Sequence, residues 1–251
     1  MKRLLLLASV VAVVALACAP VMAGVVFSDD FDTGIVGWTN YNMSNPITWD
    51  ATKDCGGSSS SGSAASTMSV SRIYRSLGIN IDGYFSATWW IYDDSMSRAY
   101  GEIRATADGT FNGSLVQLFD AGKYNNVSMA GETYDSSYYQ GRILYGSSAG
   151  WFNLKSADAP KRSAGWHKFT VERFADNSTN FYVDNILCRS FTGAAAGGIN
   201  VVVLGFGTSS SSNGNAWFDG VNIAVPEPGS ILAFASGLIG FAGLALRRRS
   251  A

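Results

Sequence analysis

Tyr84-Phe85-Ser86-Ala87-Thr88-Trp89-Trp90-Ile91-Tyr92 contains no charge, proline or glycine and is built almost wholly from aromatic, β-branched and small side chains. That composition suits a pleated strand. A period of two puts Phe85, Ala87, Trp89 and Ile91 on one face and Tyr84, Thr88, Trp90 and Tyr92 on the other. The stretches 142–145, 166–174, 180–183 and 200–204 have the same character and are separated by Gly, Asn, Asp and Ser turns. Asp184-Asn185, between Val183 and Ile186, has the chemistry of a tight hairpin turn. The tracts 56–71 and 209–215 are too rich in serine and glycine to hold a core and are expected as exposed loops. Many short strands and no amphipathic helix point to an all-β fold, an antiparallel two-sheet β-sandwich over residues 24–225.

Both ends of the chain differ from this pattern. Lys2 and Arg3 precede the apolar run Leu4–Ala17, and Val21-Met22-Ala23 supplies small residues for cleavage before Gly24, so residues 1–23 read as a secretory signal peptide handled by signal peptidase. Leu16-Ala17-Cys18 is similar to part of a lipobox, but Ala15 stands where such motifs hold leucine. At the other end, Ile231–Leu246 carries no charge and is apolar all round. As a helix it reaches roughly 24 Å at about 1.5 Å per residue, somewhat short of a hydrocarbon core of about 30 Å. Flanking residues and local thinning can make up the difference, so that it spans with little to spare. Arg247, Arg248 and Arg249 would hold its end on the cytoplasmic side, leaving everything before Pro226 outside. Pro226 and Pro228 interrupt any strand or helix leaving the domain.

Pro226-Glu227-Pro228, an apolar helix and terminal arginines together resemble the PEP-CTERM sorting signal of Gram-negative bacteria, here residues 226–251. The resemblance implies a membrane-anchored precursor, recognised by an exosortase that removes the helix. Its destination would be the cell surface or an exopolysaccharide matrix. A second resemblance covers most of the domain. Ser28–Gly34 with Gly37-Trp38, Gly165–Phe169, Tyr182–Asn185 and Ala216–Val221 are similar to the concanavalin A-like lectin/glucanase jelly roll, including laminin-G-like domains. That family binds sugars, proteins or calcium, or hydrolyses glycans, so it implies a fold without deciding a function.

Removing Lys2, Arg3, Arg247, Arg248, Arg249 and Glu227 from 18 basic and 19 acidic residues leaves 13 against 18, a net charge of about −5. This argues against a nucleic-acid partner, which demands clustered Lys and Arg. Catalysis is not expected either. Glucanases of this fold carry two glutamates and an aspartate on one strand, whereas Glu102, Glu132 and Glu172 stand in no such motif. His167 is the single histidine, which excludes a multi-histidine zinc site and leaves a Ser-His-Asp triad no other base.

The expected role is therefore glycan binding, with a purely structural or adhesive surface protein and a divergent glycoside hydrolase as alternatives. Trp89, Trp166, Trp217 and Phe169 lie in strands and are expected in the core; Tyr41, Trp49, Tyr138, Tyr139 and Trp151 fall in loops or turns and are the candidate sugar contacts. Calcium is the candidate metal, held by Asp29, Asp30 and Asp32 near the first strand and Asp219 in the last, the latter in phase with Trp217, Val221 and Ile223. The same aspartates could instead cap turns and blunt an edge strand. Cys55 and Cys188 either pair in an oxidising compartment or remain two thiols.

Overall fold

A computed structural model describes residues 23–56, 62–66, 71–94, 98–145, 148–192, 197–206 and 215–226. The expected signal run, Glu227, Pro228, the apolar span 231–246 and the three arginines lie outside the described residues. Val25–Ile223 forms one compact unit, which holds the sandwich.

Its strands are β1 (Ala23–Asp29), β2 (Thr39–Asn40), β3 (Thr48–Asp50), β4 (Ser63–Ser66), β5 (Arg72–Ile81), β6 (Phe85–Asp93), β7 (Ala99–Thr106) and β8 (Leu115–Lys123). They continue with β9 (Gln140–Tyr145), β10 (Ser148–Asn153), β11 (Gly165–Arg173), β12 (Thr179–Val183), β13 (Ile186–Phe191), β14 (Ile199–Gly205) and β15 (Ala216–Pro226). One sheet runs β13-β12-β11-β6-β15-β4-β3, with β1 also paired to β15; the other, of seven strands, runs β10-β9-β8-β7-β14-β5-β2. The seven-stranded sheet is antiparallel throughout, and so are the runs β13-β12-β11-β6 and β15-β4-β3 of the other. The fold is the antiparallel two-sheet sandwich expected from the sequence.

β6 alternates buried and half-buried residues along its whole length, because its inward face packs on the opposite sheet. Phe85, Ala87, Trp89 and Ile91 form that face. The Trp89 indole donates a hydrogen bond to the Ala121 carbonyl at 3.1 Å, tying β6 to β8 across the core. Gly101 lies beneath that indole, where a Cβ would stand 2.4 Å from it. Phe85 meets Phe119 and Phe152 meets Phe181 edge-on, so aromatic pairs bridge the layers at several points.

The β12–β13 hairpin turns at Asp184-Asn185 with φ of 51° and 66°, as a two-residue turn of type I′ requires. β4 falls inside the tract 56–71 that was expected to be loop; Ala64 and Ala65 bury side chains small enough to hide among serines in the sequence. In β15 the expected phase is corrected. Ala216 and Phe218 are buried, then Asp219, Val221 and Ile223. This one-residue slip at Asp219-Gly220, where Gly220 has φ of 54°, is the signature of a β-bulge. Trp217 is consequently out of phase with Val221 and half-buried on the outer face, as is Trp166 on β11, whereas Trp89 and Phe169 are core.

Candidate functional site

One rung of directly opposed residues crosses the entire seven-stranded sheet. It runs Thr39, Tyr74, Val203, Glu102, Asp120, Arg142, Trp151, from β2 through β5, β14, β7, β8 and β9 to β10. Sequence neighbours Ile73, Ile103, Phe119 and Ile143 are fully or almost fully buried and face the core, so this rung lies on the outer face. Two opposed acids and an arginine occupy one line between the aromatic side chains of Tyr74 and Trp151.

The middle of that line is a charge cluster. Asp120 has no exposed surface, and neither of its carboxyl oxygens has a hydrogen-bond partner. Burial, and then the charge of Glu102 opposite, push its pKa well above the carboxylate range, against the pull of Arg142 and Arg72. Two carboxyls facing each other can share a hydrogen bond only when one holds a proton. Glu102 is itself paired with Arg104, whose Nη1 also donates to the Phe111 carbonyl at 3.2 Å. Arg72 donates from Nε to the Phe206 carbonyl at 3.0 Å and from Nη2 to the Tyr100 hydroxyl at 3.1 Å. Arg142 is placed differently: its Nη1 lies 3.8 Å from Asp120, beyond hydrogen-bond reach, and its side chain is 36% exposed.

Aromatic groups flank this cluster. At one end Phe111 stacks on Tyr74 at 4.6 Å and meets Tyr41 at 5.0 Å, with the Arg104 guanidinium over its ring. At the other, Tyr124 and Trp151 stack at 3.9 Å with planes only 3° apart, Arg98 over Tyr124 and Arg142 over Trp151. A pocket of about 480 Å³ opens beside Ser76 and Thr106, with Asn80, Asp108 and Asn200 among its polar lining.

Of the expected sugar contacts, Tyr41 is 47% exposed at one end of this face, and Trp151 stands at the other. Trp151 is a buried β10 residue rather than a loop aromatic, because Tyr124 covers its ring. Trp49 is exposed on β3 and donates its indole hydrogen to the Phe31 carbonyl at 2.8 Å. Tyr138 is half-buried, with Lys155 over its ring. Tyr139 corrects the expectation of a surface residue. It is only 2% exposed, packs edge-on against Phe169, and donates its hydroxyl hydrogen to Asp93 at 3.2 Å.

The four expected calcium ligands do not form one group. The Asp29 carboxylate accepts hydrogen bonds from the Phe31 amide and the Trp38 indole, and Asp30 accepts from the Asp32 amide, which is turn-capping chemistry. Asp219 instead meets Asp54 and Cys55, their ligand atoms within 4.8 Å of one another. It accepts from the Cys55 and Gly220 amides, and burial raises its pKa to about 6. Two carboxylates and a thiol suit calcium poorly, since calcium takes six to eight oxygens. Cys55 and Cys188 are both free thiols, with pKa values pushed up by burial to about 12 and about 11.

Ser163, His167 and Asp184 line up in the order of a hydrolase triad. The Ser163 hydroxyl is 3.1 Å from Nε2, and Asp184 is 2.8 Å from Nδ1. The Ser163 carbonyl, however, also faces Nε2 at 3.0 Å. Both ring nitrogens therefore meet acceptors and are best satisfied as donors, whereas a general base needs a free lone pair on Nε2. The outer face of the other sheet carries a second aromatic band: Tyr92 meets Trp166 and Trp217 edge-on at 5.5 Å each, and Lys53 lies 3.7 Å above the Tyr92 ring.

Residues 224–249 match the family model of the PEP-CTERM protein-sorting motif. The chain thus carries the mark of an exported protein processed by an exosortase in Gram-negative bacteria. No curated protein sequence matches it. Solved structures of similar fold include the calreticulin globular domain of T. cruzi, with TM-score 0.55, 13% identity and coverage of 90% of this chain and 99% of that one. Domain 4 of an extracellular arabinanase from Geobacillus stearothermophilus, in complex with arabinotriose, gives 0.51 and 12% over 85% and 98%. The catalytic domain of a laminarinase from Thermotoga petrophila gives 0.50 and 13% over 83% and 100%. At such identities the likeness is one of fold, that of concanavalin A-like lectin/glucanase sandwiches.

Proposed function

We propose that this protein is a non-catalytic surface or matrix component that binds polysaccharide along the outer face of its seven-stranded sheet. The observation that carries this reading is the single rung from Tyr74 to Trp151, with aromatic groups at both ends and the partly exposed Arg142 guanidinium between them. Sugars are bound by such a pairing of flat apolar rings with convergent polar groups. The arabinanase domain solved with arabinotriose and the laminarinase, which share the fold, are named for carbohydrates, which supports the choice of ligand class. A calcium requirement is not part of the reading.

The test is binding of the intact chain, solubilised in non-ionic detergent, to a panel of immobilised neutral and acidic polysaccharides. Retention by at least one, weakened by Tyr41→Ala, is the expected result. Retention by none would leave a structural or adhesive protein. The hydrolase alternative draws on the opposed carboxyls of Glu102 and Asp120. It would replace the present reading if reducing ends were released by the intact chain and not by Glu102→Gln.

A further inference from the structure

We propose that this face takes a carboxylated polysaccharide, a chain bearing uronate groups, with Arg142 receiving the carboxylate. The inference rests on the polysaccharide reading of the same face and specifies its ligand. The mature domain is acidic, with 13 basic against 18 acidic residues once both ends are removed, yet Arg72, Arg98, Arg104 and Arg142 gather on or beside this one surface. Arg72 has hydrogen bonds to a carbonyl and a hydroxyl, and Arg104 is neutralised by Glu102.

Arg142 has neither arrangement. Its guanidinium makes no hydrogen bond to described residues, retains exposure, and stands over Trp151 beside an acid too distant to bond. That acid, Asp120, is sealed from water with both oxygens unpartnered and with Glu102 directly opposite. Burial favours its protonated form, which leaves the Arg142 charge uncompensated. A guanidinium fork matches a planar carboxylate through two parallel hydrogen bonds. From Trp151 to Tyr74 the rung crosses five strand spacings, roughly 24 Å at about 4.8 Å each. That length accommodates several sugar units, and Tyr41 offers an exposed ring at its far end.

The experiment compares the intact chain in detergent on immobilised polygalacturonate, on the same polymer with its carboxyls methyl-esterified, and on a neutral glucan. Binding to the free acid, weakened roughly tenfold or more by esterification and by Arg142→Gln, is expected, since a charge-assisted pair is worth that much or more. Arg142→Lys, which keeps the charge without the fork, should restore only part of the affinity. Both variants should melt within a few degrees of the native chain, because the side chain is partly exposed. Equal binding of acid and ester, or acid binding indifferent to Arg142→Gln, overturns the carboxylate inference and leaves the polysaccharide reading standing. Binding to none of the polymers removes both.

Discussion

Glu102 and Asp120 stand directly opposite each other on β7 and β8, and almost no water reaches either carboxyl. Such a pair keeps one proton at neutral pH, because two adjacent buried charges are too costly. Asp120, whose folded pKa is raised, contributes stability that is fully present below the unfolded carboxylate pKa and is lost as pH rises through its folded value. Asp120→Asn keeps the shape without the charge. It should raise the melting temperature by about 2–4 °C at alkaline pH, equivalent to about 1 kcal/mol for a domain of this size, and have little effect in acid. A loss of stability at every pH would show that the carboxylate is ionised and needed by the arginines.

A second pH dependence lies on the other sheet. Burial alone would push His167 down, but the hydrogen bond and charge of Asp184, with the Ser163 carbonyl and Asp93, outweigh it and hold the imidazole above its ordinary 6.5. Stability from this group is full below about pH 6.5 and is lost as pH rises through the folded value. Asp219 adds a drop at lower pH, between 3.8 and about 6. Thermal melts from pH 5 to 9 should therefore fall progressively. His167→Gln should cost stability at pH 6 and much less at pH 9; an equal cost at both would mean that the ring is neutral in the fold.

Most of one sheet is legible in the sequence. β6, β11, β12 and the Asp184-Asn185 turn announce themselves because their inward residues are apolar and their outward residues polar or aromatic. The face proposed to bind polysaccharide is harder to read, because it is built largely on β7, β8 and β10. Gly101 removes an apolar position from the core face of β7, and Glu102, Arg104 and Asp120 alternate with core residues, so no clean apolar period marks β7 or β8 in the sequence. Opposition of Glu102 to Asp120 depends on strand register, and no spacing along one strand reveals it. Trp217 is misread for a related reason: alternation cannot be followed through the slip at Gly220. Tyr139 sits among serines and a glutamine yet is core, packed on Phe169 and hydrogen-bonded to Asp93, partners that lie far from it in the sequence.

Asp93 is the buried charge on which the core around Tyr139 depends. It is 3% exposed, and Arg162 grips it through Nε at 2.6 Å and Nη2 at 2.8 Å. Removing one member of such a pair strands the other. Arg162→Met should cost about 3–5 kcal/mol in urea denaturation. Asp93→Asn in the same chain should recover part of that loss, giving a coupling energy well above the few tenths expected of independent sites. Strict additivity would mean that the ion pair contributes little.

Gly101 tests the packing that joins the two sheets. A Cβ there would stand 2.4 Å from the Trp89 indole, closer than side chains tolerate. The indole cannot retreat freely, since it is fully buried and bonded to the Ala121 carbonyl. Gly101→Ala should therefore lower stability by about 1–3 kcal/mol, even though alanine ordinarily improves on glycine in a strand. Trp89→Phe in the Gly101→Ala chain should restore part of the loss by making room. If Gly101→Ala alone melts at or above the native temperature, the indole does not occupy the space over β7.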